Sequence, residues 1–345
     1  MASAMVSLNG IRRGNQMKLK GKKVLVTGAG GFIGSHLVET LVKNHAKVRA
    51  FVHYNSRNDW GMLELLNKKI LNEVEVIAGD IRDSDALRKA IKKCQAVFNL
   101  AASVGIPYSF VHPKDVVETN VSGALNLLLA CKDSRVEKIV HTSTSEVYGT
   151  AQYVPMDENH PISPQSPYAA SKASADQIAL SFHKSFNLPV GIMRPFNVYG
   201  PRQSARAVIP TIITQALVKG EVYLGATFTT RDLTYVSDTV KGFIKFAESD
   251  KTSGEVVNIG SGFEVSIEDL VELVGKCLNK NIKLFSQRER KRPGQSEVVR
   301  LVSNSNKALK LVNWSPKVKL LDGLEKTINW IEKNIQLYKQ EIYNI

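Results

Sequence analysis

KVLVTGAGGFIG, residues 23–34, decides the fold. Lys23 to Thr27 reads as a strand buried on both faces, since its apolar residues run together instead of alternating with polar ones. Gly28, Gly31 and Gly34 follow in a GxxGxxG pattern, and Phe32 and Ile33 open a helix running to about Lys43. Strand, glycine turn and helix in that order form the phosphate-binding start of a βαβ unit. The first glycine permits the sharp turn, the second admits a pyrophosphate to the backbone, and the third lets helix and strand pack closely. The helix N-terminus then offers N–H groups and a positive dipole end to the phosphates. A dinucleotide is therefore expected on Gly28, Gly31, Phe32, Ile33 and Gly34.

Working outward, the same rhythm continues. Lys47–His53, Val74–Ala78, Ala96–Ala101, Lys138–Ser143 and Val190–Arg194 read as further strands. Segments 62–71, 84–93, 116–132 and 167–186 read as helices between them, and 233–248 as a strand and helix returning to the sheet. Short apolar strands alternating with helices imply an α/β, Rossmann-type doubly wound parallel sheet. After Pro195 the rhythm breaks, and segments 195–230 and about 259–345 read as a smaller, interleaved C-terminal lobe. The dinucleotide domain is then 17–194 plus about 231–258, and residues 1–16 are a flexible extension.

The cofactor can be followed across the sheet. An acid ending the second strand would bond the adenosine ribose of NAD. Here that strand runs into His53-Tyr54-Asn55-Ser56-Arg57. Arg57 or Ser56 suits a 2′-phosphate, so NAD(P)+ is expected with a lean toward NADP+. Asp80 and Ile81 follow the third strand, where Asp80 is placed for the adenine amine. Leu100, Ala101 and Ala102 end the fourth strand beside the cofactor.

The net charge of +14 is unevenly spread: Lys276 to Lys319 holds a dozen basic residues against Glu289 and Glu297. No nucleic-acid motif accompanies it, whereas a basic lobe suits a diphosphate substrate. Cys94, Cys131 and Cys277 match no metal or redox spacing, which implies reduced thiols, a cytoplasmic location and no metal site. No apolar run is long enough for a membrane span.

Tyr168 and Lys172, in YAASK, lie four apart in a helical segment and share one face. A lysine ammonium and a nicotinamide cation nearby would lower the tyrosine pKa and make it a base for a substrate hydroxyl. Downstream of the glycine loop, this pair resembles the extended short-chain dehydrogenase/reductase superfamily. The fifth strand ends in Thr144-Ser145-Glu146, which resembles the triplet of nucleotide-sugar 4,6-dehydratases, the mannose type especially; the glucose type carries Asp-Glu. The resemblance implies that Thr144 holds the C4 oxygen and that Glu146 removes a proton beside a ketone. The acid for the C6 hydroxyl is left open among Glu146, Ser145 and a water. RPFNVYGPR (194–202) is similar to the family's sugar-pocket segment, with Asn197 at the phosphates, and Arg231 and Arg292 match its diphosphate positions. FVHYNSRNDW (51–60) resembles a subgroup acting on nucleotide-linked N-acetylglucosamine.

The resemblance thus implies a 4,6-dehydratase acting on UDP- or GDP-N-acetylglucosamine, with cofactor bound tightly and recycled. Family members commonly dimerise through two helices per subunit, so a homodimer is expected through 116–132 and 167–186. A 4-epimerase and a uronate decarboxylase, with Arg206 at the carboxylate, stay open as alternatives. So does a non-catalytic dinucleotide sensor, although sensors usually lose the tyrosine or lysine.

Overall fold

The computed structural model describes residues 17–339, so the expected extension 1–16 lies outside the described residues. Seven strands form the main sheet: β1 (Lys23–Thr27), β2 (Lys47–His53), β3 (Val74–Gly79), β4 (Ala96–Asn99), β5 (Lys138–Thr142), β6 (Val190–Pro195) and β7 (Val256–Ile259). Their order is β3-β2-β1-β4-β5-β6-β7, and every pairing is parallel. The chain is therefore a Rossmann-type α/β protein. The strand order reverses between β1 and β4, where Thr27 pairs with Asn99, which opens a crevice beyond their carboxyl ends.

Alternate residues of β1 feed two cores. Val24 and Val26 pack with Leu37, Val38 and Leu41 of helix Phe32–Lys43 and with Phe243 and Phe246 of helix Val236–Glu248. Leu25 packs on the opposite face with Val97, Leu127, Leu128 and Ile139. Each such side chain contributes about 1.5–3 kcal/mol on burial, so both faces must be covered, as the unbroken apolar runs require.

Three expectations change. Segment 62–71 is a 3-10 turn, Gly61–Leu65, and one α-helical turn, Lys68–Leu71. Asn67 separates them by accepting a bond from the Lys69 N–H, which starts the second piece afresh. The helix expected at 116–132 begins at Pro113 and carries a π turn at Glu118–Ser122. The returning segment 233–248 divides: helix Val236–Glu248 packs on the main sheet, but strand Thr230–Tyr235 does not join it. That strand instead centres a second sheet, flanked by Glu264–Ser266, Arg300–Leu301 and Asn197–Tyr199. A two-stranded pair, Glu221–Leu224 with Lys283–Ser286, completes the smaller lobe. Among the described residues, no helix is long and apolar enough to cross a membrane.

Candidate active site

A cleft of about 1870 Å³ runs along the carboxyl ends of the main sheet and under the smaller lobe. One end is built by the glycine loop. Gly28 has φ +65, and a Cβ there would lie 2.8 Å from the Ala101 nitrogen. A Cβ on Gly34 would lie 2.2 Å from the Gly28 carbonyl. These contacts leave no room for any side chain and bring bare backbone to the cleft wall, which fits a pyrophosphate. Gly28, Gly31, Phe32, Ile33 and Gly34 all line this end, with Asp80, Ile81, Leu100, Ala101 and Ala102 beyond them. The Asp80 carboxylate is chelated by Arg82 at 2.6–3.1 Å, which holds it below the usual carboxylate range.

Arg57 reaches the cleft with a side chain 85% exposed, its Nη2 3.8 Å from Asp59 Oδ2. Asp59 is an acid that the reading of the second strand passed over. Asn55 ties the turn: its Oδ1 accepts from the N–H groups of Arg57 and Asp59, and its Nδ2 donates to the Asp59 carbonyl at 2.8 Å. The turn brings Asp59 back to the cleft, six residues past the end of β2. An Asn four residues before an Asp was the available signal.

In mid-cleft, Ser166 caps helix Pro167–Phe186 by accepting from the Ala169 N–H. The helix places Tyr168 and Lys172 on one buried face. Thr144 is extended after β5, and its Oγ1 accepts from the Glu146 N–H at 3.3 Å, starting the 3-10 turn Ser145–Tyr148. That turn buries Ser145 and Glu146. The Tyr168 phenol lies within the electrostatic influence of both the Thr144 side chain and the Glu146 carboxylate. Burial, then the charges of Glu146 and Asp176, push the Tyr168 phenol up. This is opposite to the lowering expected from the sequence, because in the protein by itself burial and the two carboxylates outweigh the Thr144 side chain, which alone favours the phenolate. Burial pushes Lys172 down to about 8, against the opposing pull of Asp176.

The far end is ionic. Arg292 Nη1 lies 3.6 Å from Glu146 Oε2, and its Nε lies 3.7 Å from Glu297 Oε1. Arg231 Nη2 approaches the same Glu297 oxygen at 3.4 Å, while its Nη1 donates to the Thr230 carbonyl. Asn197 also lines the cleft, and its buried Oδ1 makes no hydrogen bond. Arg206 stands exposed on the rim, its Nε 3.3 Å from Ser204 Oγ. All sequence-expected site residues thus line one cleft. Sequence reasoning missed Asp59, Glu297, Asp176 and Asn120. Asn120 sits in the π turn, donates to Ser171 Oγ at 2.9 Å and holds the Ser103 backbone. An extra residue in a helix is a frequent mark of a functional position, but no sequence pattern announced it.

Comparison with known proteins gives a consistent outcome. The family described as GDP-mannose 4,6 dehydratase matches residues 25–327. The human dTDP-D-glucose 4,6-dehydratase is 32% identical over 327 residues, covering 92% of each chain. The UDP-N-acetylglucosamine 4-epimerase of Methanobrevibacter ruminantium, solved with UDP-N-acetylmuramic acid, superposes with a TM-score of 0.82. It is 33% identical, over 91% of this chain and 99% of that one. The dTDP-glucose 4,6-dehydratase DesIV of Streptomyces venezuelae, solved with NAD, gives a TM-score of 0.81. It is 28% identical, over 92% of this chain and 99% of that one.

Proposed function

From the premise that the chain belongs to the GDP-mannose 4,6-dehydratase family, extended short-chain dehydrogenase/reductases that act on nucleotide sugars, we propose that it is the dehydratase and not the 4-epimerase. The reading rests on one observation. A buried carboxylate, Glu146, shares the cleft with Tyr168 and lies within its electrostatic reach. A 4-epimerase needs only a proton carrier at the C4 hydroxyl. A carboxylate beside it supplies the second base that elimination requires.

In this mechanism Tyr168 takes the proton of the C4 hydroxyl, and Thr144 holds that oxygen. Bound NAD(P)+ supplies the acceptor and later the donor of one hydride, so it is recycled. The 4-ketone acidifies C5, and Glu146 removes the C5 proton while water leaves C6; C6 then takes back the hydride and C5 a proton, which gives the 4-keto-6-deoxy sugar. The proton for that water comes from Glu146, Ser145 or an ordered water. Lys172 provides positive charge that favours the phenolate form of Tyr168. Asn197, Arg231 and Arg292 hold the diphosphate, with Arg206 at the rim. We assign residues 195–235 plus about 259–339 to the sugar-nucleotide lobe, and 17–194 plus about 236–258 to the dinucleotide domain, because strand Thr230–Tyr235 belongs to the second sheet.

The substrate assigned is UDP- or GDP-N-acetylglucosamine, supported by the resemblance of residues 51–60 and by the epimerase neighbour named above. NADP+ is assigned over NAD+ on Arg57, with Asp59 as its competitor; Arg57→Ala should reverse the preference in a dinucleotide titration. The three free thiols fit a cytoplasmic location. Exposed Leu129 and Phe186, on helices Gly123–Asp133 and Pro167–Phe186, suit a homodimer through those helices, which sedimentation will test.

The deciding experiment is incubation with each nucleotide sugar followed by mass spectrometry. Loss of one water supports the assignment. Loss of carbon dioxide from an added nucleotide-linked uronate makes the protein a decarboxylase, and an isomer of unchanged mass makes it an epimerase. Glu146→Gln should then stop elimination while leaving C4 oxidation, read as transient reduced dinucleotide. Elimination at near the native rate in that variant would overturn the role of Glu146.

A further inference from the structure

Two arginines, Arg231 and Arg292, converge on a single carboxylate that the proposed reaction does not use, Glu297. The convergence is built into the backbone. Strand Arg300–Leu301 pairs with strand Thr230–Tyr235, and the Thr230 N–H donates to the Val299 carbonyl at 3.0 Å. Gln165 Nε2 donates to the carbonyls of Gln295 and Glu297 at 2.7 and 3.3 Å. Val298, the next residue, is buried. Glu297 is therefore fixed facing the cleft by the strand that follows it.

Its ion pairs are nonetheless loose. Separations of 3.4 and 3.7 Å exceed the 2.7–2.9 Å of a charge-assisted hydrogen bond. Arg292 Nη1 is buried and makes no hydrogen bond at all. Two guanidinium groups are thus neutralised by Glu146 and Glu297, yet Arg292 Nη1 is left without a hydrogen bond and Arg231 Nη2 reaches Glu297 only at 3.4 Å. Buried donors in this condition cost free energy until a better acceptor arrives.

We propose that Glu297 is a displaceable counter-ion for the diphosphate subsite, weakening the hold on nucleoside diphosphates so that bound nucleotide is released. This rests on the reading that Arg231 and Arg292 receive the diphosphate. An anionic ligand must share both arginines with Glu297 or push it aside, and repulsion between the two anions lowers affinity. The carboxylate acts equally on substrate and product, because both carry the same diphosphate. It therefore sets KM and release without assisting the chemical step.

The test is calorimetric titration of UDP, GDP and dTDP into the full chain and into Glu297→Gln, with Glu297→Asp as the conservative variant. Glu297→Gln should bind the preferred nucleotide about tenfold more tightly, as expected for removal of one nearby like charge. KM should fall by a similar factor without any rise in kcat, and Glu297→Asp should return both toward the native values. A structural role would not raise affinity. Unchanged or weaker binding in Glu297→Gln, while the native protein binds, overturns the inference and leaves the diphosphate assignment standing. Failure of the native protein to bind any of the three overturns the diphosphate assignment and the inference together. If Glu297→Gln does not fold, Glu297→Ala is titrated in its place; failure of both to fold makes Glu297 structural and overturns the proposal.

Discussion

Replacing Lys172 by methionine should stabilise the protein while destroying its activity, and the size of the gain follows from burial. Lys172 lies in the interior of helix Pro167–Phe186 with only 4% of its surface exposed. Desolvation lowers its pKa from 10.5 to about 8, although Asp176 pulls the other way. At about 1.4 kcal/mol per pH unit, that descent costs about 3 kcal/mol whenever the folded protein carries the charge. Methionine fills a similar volume with no charge to desolvate. Part of the gain is offset, because Asp176 loses one of its two cationic neighbours and keeps only Arg194. A net stabilisation of about 1–2 kcal/mol is expected at neutral pH.

The pH dependence separates this cause from better packing. Below pH 8 the lysine is protonated in both folded and unfolded chains, and the folded protein bears the full cost. Between pH 8 and 10.5 the unfolded chain holds the proton that the folded chain has lost, so native stability rises with pH. The charge-dependent advantage of Lys172→Met must therefore shrink across that window and vanish above it. Urea unfolding of nucleotide-free protein, followed by tryptophan fluorescence at a series of pH values, measures the difference. Turnover should fall by at least about 100-fold, as for loss of a group that sustains proton transfer. A variant less stable than the native protein at neutral pH, or a difference independent of pH, would refute the reasoning.

Tyr168→Phe should lower kcat by about 10²–10⁴ while leaving substrate affinity nearly unchanged, measured by turnover and calorimetry. Gly34→Ala places a Cβ 2.2 Å from the Gly28 carbonyl, so dinucleotide affinity should fall by at least about tenfold, equivalent to the 1–3 kcal/mol of an overpacked contact; quenching of Trp60, which lines the cleft, reports it. Asp176→Asn strands the buried Arg194 guanidinium and should cost about 3–5 kcal/mol in urea unfolding. A cost below about 1 kcal/mol would mean that the pair is not desolvated as described.

The parts of this molecule legible in the sequence are those whose cause is local. KVLVT declares a two-faced strand by itself, and the three glycines declare a turn because only a residue without a Cβ fits there. Strand β7 was missed because it is four residues long and carries Asn258, whose polar side chain reads as loop. In the structure that side chain accepts from Tyr148 and donates to the Met156 carbonyl, partners 110 and 102 residues away. Glu297, in a loop, was invisible for the same reason: its meaning comes from Arg231, 66 residues earlier on strand Thr230–Tyr235. The π turn escaped because Asn120 owes its place to Ser103 and Ser171, neither of which is near it in sequence. Residues defined by a partner far along the chain have no signature until the chain is folded.

Those distant partners are also what hold the cleft together. Thr27, at the end of β1, donates to Asn99 Oδ1 at 2.8 Å and accepts from the Ala101 N–H at 3.1 Å. With its oxygen so engaged, Asn99 turns its Nδ2 to His141 Nδ1, 3.2 Å away. Burial holds His141 far below its usual pKa, so the ring is neutral and its proton sits on Nε2, facing Asp176 Oδ1 at 3.7 Å. Asp176 accepts from Ser143 at 2.6 Å and from Arg194 at 2.9 Å, and Arg194 donates on to Tyr148 at 3.0 Å. The chain of contacts thus passes across the carboxyl ends of β1, β4, β5 and β6, where a parallel sheet runs out of backbone partners. Apolar residues of equal volume would be cheaper to bury there than an aspartate and an arginine. They would also leave the strand ends untied, and those strand ends carry Ala101, Thr144, Glu146 and Asn197 into the cleft. The polar layer beneath the site is therefore better understood as a cost in stability that fixes the spacing between the dinucleotide loop and the carboxylate at Glu146.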